Sequence, residues 1–474
     1  MRVITFYSYK GGVGRTLAAA NFAVYLAKLG LKTVVIDFDL EAPGIDAKFA
    51  LPPLADNQKG ILDYILEFQK TNQDPENIKE LCRNIPLDDG ENAETLWLIP
   101  AGQYLAETYY KKLNQLDWGI IFSKQRNGVA FFQQFLSHLE TELAADFVII
   151  DSRTGITEIA GLCTQQLADE VVMLSSLSSE SIRVTKHIKQ LIQNSQVAKT
   201  LDKEIDVKVV VSRIPKPDNL LEFKEKCCEI FEVEDNKLFF LFSCPALELE
   251  EFLAINQAEK SEELVSNYVY LFYGLNIKIA DKSIKQEIEK VSRQVLLLPP
   301  KESEKRILEL ATVYPHPEVY RTAMRFFSMT KDTKNMRFFG WKLISLISED
   351  EEAKMNLAQS YLEQAKSTYL DLSNVTTEWC KNALKAIQPL WGSGKLQLEE
   401  IFIYVQLLYR DQQYHKSLEI ALDLLQPENI KSANPWLLDA SVIAANSARA
   451  IGDYGLADGI DEKTGQLYDL FERS

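Results

Sequence analysis

KGGVGRT, running from Lys10 to Thr16, joins a β-branched and aromatic run, Val3 to Tyr7, to a proline-free stretch of strong helix formers, Leu17 to Leu29. The first reads as a buried strand and the second as a helix, which places the glycines in a strand-to-helix turn. Gly11, Gly12 and Gly14 carry no Cβ, so the backbone there can take positive φ and turn successive N–H groups toward one anion. The helix starting near Arg15 adds unpaired N–H groups and about half a positive charge of dipole. This combination predicts a phosphate cradle, with Gly11, Gly12, Val13, Gly14, Arg15, Thr16 and Leu17 as its nucleotide-binding residues.

A P-loop of the common form reads GxxxxGK[ST], its lysine reaching the β/γ-phosphates and its hydroxyl holding magnesium. The span Tyr9 to Thr16 departs from it, because no glycine occupies the first position. KGGVGRT instead resembles the deviant Walker A motif, KGGxGKT, of the ParA/MinD-type ATPases, a class that includes partition, division-site and nitrogenase-iron-protein relatives. The signature lysine of that family is Lys10 here, and its P-loop lysine is replaced by Arg15, as in a KGGVGR-motif variant of the class.

At 474 residues the chain is too long for a single ordinary core, so two or three domains are expected. Its 46% hydrophobic and 25% charged residues are those of a soluble globular protein. It has no apolar run of about 18 residues, and MRVITFYSYK reads as a core strand instead of a cleavable signal, which predicts a cytoplasmic protein without membrane association. The six cysteines form no CxxC pair and read as buried thiols. Four histidines without a ligand spacing give no histidine chemistry. A net charge of −16 argues against binding to DNA or to an anionic membrane, both of which need a basic surface.

Farther along, TVVID (Thr33 to Asp37) is a short apolar run ending in an acid, followed by Phe38, Asp39 and the segment Leu40 to Gly44. Acids at the carboxyl ends of parallel strands lie where open α/β sheets bind ligands. The alternative reading of Asp37 and Asp39 is a solvated loop pair. FVIID (Phe147 to Asp151) repeats the pattern and runs on into Ser152, Arg153, Thr154 and Gly155. A carboxylate at Asp151 can hold a magnesium-bound water, and Gly155 can bring a backbone N–H to a γ-phosphate. Arg153 has two readings: it steadies charge on a transferring phosphate, or it pairs with a nearby carboxylate or a partner.

Further strands are expected at Leu96 to Ile99, Glu170 to Leu174, Val207 to Val211 and Lys237 to Phe242, with helical sequence between them. The stretch Leu51 to Ala145 reads as helices around the single strand Leu96 to Ile99. Within it, Phe132, Phe135, Leu136 and Leu139 recur at helical spacing and form a core stripe. Apolar runs alternating with helices predict a mainly parallel sheet covered by helices, an α/β fold of the P-loop NTPase type.

Strand signals stop near Ser261, helical patterns cover Ser283 to Leu298, and Pro299 and Pro300 interrupt them. The expected organisation is an NTPase domain over 1–280, a helical linker over 281–300 and an all-α domain over 301–474. Gln413 to Glu428 resembles the second helix of a tetratricopeptide repeat, and Gly452 to Ala457 opens another turn and helix. Their tyrosines, Tyr414 and Tyr454, stand 40 positions apart instead of the usual 34 or so, which predicts an irregular TPR-like solenoid. Asp332 to Leu343 is a weaker copy. Stacked helix pairs offer a concave surface to a protein or peptide partner, although packing alone produces the same apolar pattern.

The resemblance covers roughly the first 275 residues, including DFDLEAPG, DSRTG and CPALELEE. It implies ATP and magnesium as cofactors, bound between two copies of the chain in a face-to-face homodimer. By the same resemblance Lys10 reaches the other subunit's phosphates, Arg15 neutralises phosphate and Asp39 positions the attacking water. Thr16, Asp37 and Asp151 form the magnesium shell, partly through water, and Asp151, Arg153 and Gly155 form the switch. Ser212 and Arg213 stand where many relatives have an asparagine against adenine. The turn around Pro245 resembles the second base-side loop, or is a plain strand-ending turn. The planar head of Arg15 predicts slow turnover. The implied function is an ATP-driven dimeric switch whose helical domain binds a partner, in a bacterial signalling or antiphage defence setting. The alternatives are a catalytically idle nucleotide-binding scaffold that recruits an effector, and a DNA-partition ATPase, which the acidic composition opposes.

Overall fold

The computed structural model describes the chain except for residues 56–57, 76, 88–94, 258–259, 280–281, 283, 287, 290–299, 368–371, 373–374, 427–428, 430–434 and 473–474. Two compact units emerge, one of Met1–Lys290 with Glu309–His316 and one of Val291–Leu308 with Pro317–Ser474.

The first unit is built on an eight-stranded sheet: β1 (Arg2–Ser8), β2 (Thr33–Asp37), β3 (Arg83–Asn84), β4 (Leu96–Ile99), β5 (Phe147–Asp151), β6 (Glu170–Ser175), β7 (Asp206–Ile214) and β8 (Leu238–Phe242). Their spatial order is β3-β4-β2-β5-β1-β6-β7-β8, parallel throughout except for the β3–β4 pair. The two-residue strand β3 adds to the single strand expected between Leu51 and Ala145. It is too short to carry a periodic signal and is defined by its pairing with Trp97 and Leu98. β7 runs past the expected Val211 to Ile214 through an irregular register opposite β8. Lys237 closes a short 3-10 turn and β8 begins at Leu238.

Buried on both faces, the central strands are almost wholly apolar, as a helix-covered parallel sheet requires. The helix after the glycines, α1 (Arg15–Lys28), is buried from Ala18 to Ala27. Its Phe22 ring sits 5.7 Å from Phe6 and 4.7 Å from Phe272 of the helix Glu262–Gly274. On the opposite face the helix Gly128–Leu143 buries Phe132, Phe135, Leu136 and Leu139 in a core shared with Phe38 and Ile150. The six cysteines are free thiols.

The second unit is helical. From Pro317–Met329 through Thr333–Leu346, Glu351–Ser367, Thr377–Gly392, Leu398–Arg410, Tyr414–Leu424 and Trp436–Ala450 to Tyr454–Glu472, each helix packs on the next. Tyr404, Leu407, Ala421 and Ala444 are among the residues of its core. Pro300 opens a helix, Pro300–Val313, where the sequence reading has it interrupting one, because proline is tolerated in a first helical turn. Pro299 and most of the expected linker over 281–300 lie outside the described residues. No described helix is long and apolar enough to cross a membrane.

Candidate functional site

Parallel strands bring their carboxyl ends to one edge, and there the loop after β1 meets the ends of β2, β5, β7 and β8. Gly12 and Gly14 take φ of 75° and 83°, a region that strains residues with a Cβ. A Cβ at Gly11, Gly12 or Gly14 would meet no heavy atom within 4 Å, so the loop faces open space. Gly14 heads α1 without a side-chain cap, and the first turn holds no acidic residue. An uncapped first turn of this kind favours an anion.

Over the loop lies a cavity of about 460 Å³. Gly11 to Leu17 form one end, and Leu241, Leu247, Leu264 and Tyr268 supply an apolar wall. One end thus suits phosphate and the other a flat, largely apolar ring, and the volume falls within the usual range for a small-molecule site.

The acids gather at the phosphate end. Pairing of β2 with β5 sets Asp37 directly beside Asp151, and both are buried. Burial, and then the neighbouring Asp151 charge, push the Asp37 carboxyl well above the usual range, against the N–H groups that bind it. Those N–H groups belong to Asp39 at 3.1 Å, Gly44 at 3.1 Å and Ile45 at 3.4 Å, so Asp37 shapes the loop that follows it. Residues two apart on a strand share a face, but β2 ends at Asp37 and Asp39 turns to a different partner.

That partner is Arg15. Its Nη2 donates to Asp39 Oδ2 at 2.8 Å and its Nε to Asp151 Oδ1 at 2.6 Å. Nη1 is buried and has no hydrogen-bond partner among the described residues. Burial works against the guanidinium charge, but Asp151 and Asp39 more than offset it, and Arg15 holds its proton more tightly than usual. Burial raises the pKa of Asp151, while Arg15 and the Thr16 hydroxyl act in the opposite direction without cancelling the rise. The P-loop cation is therefore engaged by two site acids in this conformation.

The remaining expected residues are placed as follows. Lys10 pairs with Glu180 at the start of the helix Ser179–Gln193. Arg153 pairs with Glu41, so of its two readings the carboxylate pair is the one present. Gly155, at φ 81°, donates its N–H to the Tyr9 carbonyl at 3.1 Å and accepts from the Tyr7 hydroxyl at 2.9 Å. Ser212 Oγ donates to the Val13 carbonyl at 2.8 Å, and Arg213 Nη1 to that of Gly12 at 2.7 Å. Both side chains therefore brace the glycine loop, and Arg213 does so from a left-handed backbone at φ 56°. Ser243 and Cys244 line the cavity, while Pro245 starts the helix Ala246–Leu249 beside it.

Sequence reasoning passed over Lys48 and Glu251, which pair with each other while both line the cavity. It also passed over Tyr7, whose hydroxyl reaches the switch glycine from inside a core strand. The only signal for Glu251 was the acidic run LELEE after the last strand. A tyrosine in an apolar strand gives none.

Hard oxygen donors, an uncapped helix start and an unpaired guanidinium nitrogen together fit a nucleotide phosphate with magnesium. No three carboxylate, histidine or cysteine side chains are arranged to hold a metal ion by themselves among the described residues. The donor set thus suits magnesium that arrives on phosphate and keeps part of its water, with Thr16 and Asp151 as the protein's share.

A glycine turn between β1 and α1, at the carboxyl edge of a parallel sheet and facing strand-end acids, defines a P-loop nucleotide-binding fold. Residues 1–207 match the family model described as an AAA domain. The septum site-determining protein MinD of Escherichia coli is 27% identical over 187 residues, 40% of this chain and 57% of that protein. The MinD of Neisseria meningitidis serogroup B is 28% identical over 193 residues, 41% of this chain and 60% of that protein. The match thus spans little more than half the length of these curated relatives. Among solved structures, the MinD cell division protein of Aquifex aeolicus aligns over 60% of this chain and all of its own, at 19% identity and a TM-score of 0.40. The N-terminal part of this chain thus has a P-loop fold and is similar in sequence to the MinD proteins.

Proposed function

We propose that this protein is a magnesium- and ATP-dependent dimeric switch that hydrolyses its nucleotide slowly and passes its state to a partner held by the TPR-like helical region. The observation that carries the reading is the cavity itself, in which an uncapped P-loop, Arg15 and Asp39 converge beneath an apolar wall, with Asp151 buried behind Arg15. Thr16 and Asp151 hold the metal, Asp151 partly through water, while Asp37 fixes the intervening loop. When bound, magnesium neutralises charge on the phosphate oxygens. Arg15 stabilises the phosphates and Asp39 positions the attacking water.

Lys10 has a single exposed carboxylate partner, Glu180, and leaves it to reach the other subunit's phosphates across the dimer. A charge-assisted hydrogen bond of that kind contributes about 1.5–3 kcal/mol, enough to tie association to nucleotide. The curated relatives act in septum siting, and the setting we propose here is bacterial signalling or antiphage defence.

Light scattering with and without ATP and magnesium, paired with phosphate release, tests the reading. The expected result is a doubling of mass with ATP, lost in Lys10→Ala although nucleotide still binds, and phosphate release lost in Asp39→Ala. A second reading, an idle nucleotide-binding scaffold, draws on the engagement of Arg15 by two acids. ATP binding and dimerisation without any phosphate release would select it.

A further inference from the structure

Asp37, Asp39 and Asp151 gather around the Arg15 guanidinium, which touches two of the three. Arg15 is 7% exposed, and its contacts with Asp39 and Asp151 are both direct. Asp37 stands beside Asp151 in the register and adds a further acid to the group. Removing the one cation from such a cluster without replacing it would leave buried like charges facing each other, so Arg15 is held until something positive takes its place. Its third nitrogen, Nη1, is buried without a hydrogen-bond partner among the described residues, in a residue that lines the cavity.

We propose that Arg15 is an internal bridge that holds the Asp39 carboxylate in the absence of nucleotide, and that a phosphate oxygen replaces Asp39 as its partner when magnesium nucleotide binds, releasing the Asp39 carboxylate. Arginine suits the bridge: Nε and Nη2 of one planar head reach two acids at fixed positions, whereas lysine places its three donors on a single, freely rotating nitrogen. Arginine at this position then makes release of Asp39 conditional on nucleotide, in addition to binding phosphate. This rests on the nucleotide-binding reading above, and the test separates the two.

Melting midpoints of the nucleotide-free full chain are measured for wild type, Arg15→Lys, Asp39→Asn and the double variant. The expected result is a cycle far from additive: Arg15→Lys lowers the midpoint in the wild-type background by several degrees more than in the Asp39→Asn background. Saturating magnesium ATP abolishes that coupling. Additive midpoints without nucleotide, or a coupling that magnesium ATP leaves intact, would overturn the bridge.

Should Arg15→Lys not fold, affinity for a fluorescent ATP analogue decides. Asp39→Asn, which frees Arg15, tightens binding about five- to ten-fold. Glu41→Gln removes an equal charge from a residue paired with Arg153 instead, and changes affinity less than about two-fold. Equal effects from the two variants would overturn the proposal. If wild type binds no nucleotide in either condition, the functional reading fails, while the nucleotide-free cycle still reports on the bridge.

Discussion

The same sheet carries an ionic cluster at each end, buried at the carboxyl edge and partly exposed at the amino edge. At the carboxyl edge one cation, Arg15, serves Asp39 and Asp151, with Asp37 alongside, next to an open cavity. At the amino edge one acid, Glu170, is served by Arg2 and lies 4.0 Å from Lys208, and Asp206 pairs with Lys208 at 2.8 Å and Lys237 at 2.9 Å. The amino-edge cluster sets three cations from its own strands and neighbours against its two acids, although Glu170 Oε1 accepts no hydrogen bond among the described residues. The carboxyl-edge cluster has acids in excess, a donor without a partner and a glycine loop above it. Buried charge that the chain balances by itself holds the fold together, whereas buried charge left unbalanced beside an opening points to a ligand that completes it.

Breaking the first cluster should have the largest effect. Arg15→Met leaves Asp39 and Asp151 buried without a counter-ion and costs about 3–5 kcal/mol in the nucleotide-free protein, read by chemical denaturation of the P-loop unit.

The second cluster shows itself through pH. Burial raises the Glu170 pKa from 4.5 to about 6, although Arg2 and Lys208 oppose the rise. The folded state then binds the proton more tightly than the unfolded chain, so this group's contribution is fully present below pH 4.5 and is lost as pH rises through about 6. Its size is about 2 kcal/mol at most. Glu170→Gln flattens that slope in denaturation curves taken across the window. An unchanged slope would remove Glu170 as its source.

Smallest of all are the pairs at the rim. Arg153→Ala separates a half-exposed pair with Glu41 and changes stability by less than about 1 kcal/mol. Lys10→Ala leaves the melting midpoint where it is and acts only on ATP-dependent assembly. A large loss of stability in either would show that rim and interior are not distinguished by burial.

Much of this site is legible in the chain. Three apolar runs ending in Asp37, Asp151 and the glycine loop announce a parallel sheet with its chemistry at one edge, because each run is a local pattern with its own terminal signal, an acid in two and the glycines in the third. Strand β3 escapes such reading, since two residues define no period and only the partner strand makes them a strand. Ser212 and Arg213 show a different limit. Their position at the end of β7 marks them as part of the site, yet their side chains turn back onto the glycine loop instead of across the cavity. The irregular register between β7 and β8, with Arg213 in a left-handed conformation, sets that direction, and no residue pattern encodes it.

By itself the sequence determined the class of fold, the phosphate cradle and the identity of the acids, because these follow from local periodicity and from glycine's conformational freedom. Which acid Arg15 holds, and that it holds two, was decided only by tertiary structure. Asp39 and Asp151 lie 24 and 136 residues away in the chain, and only the pairing of β2 with β5 beside the start of α1 brings them to one guanidinium.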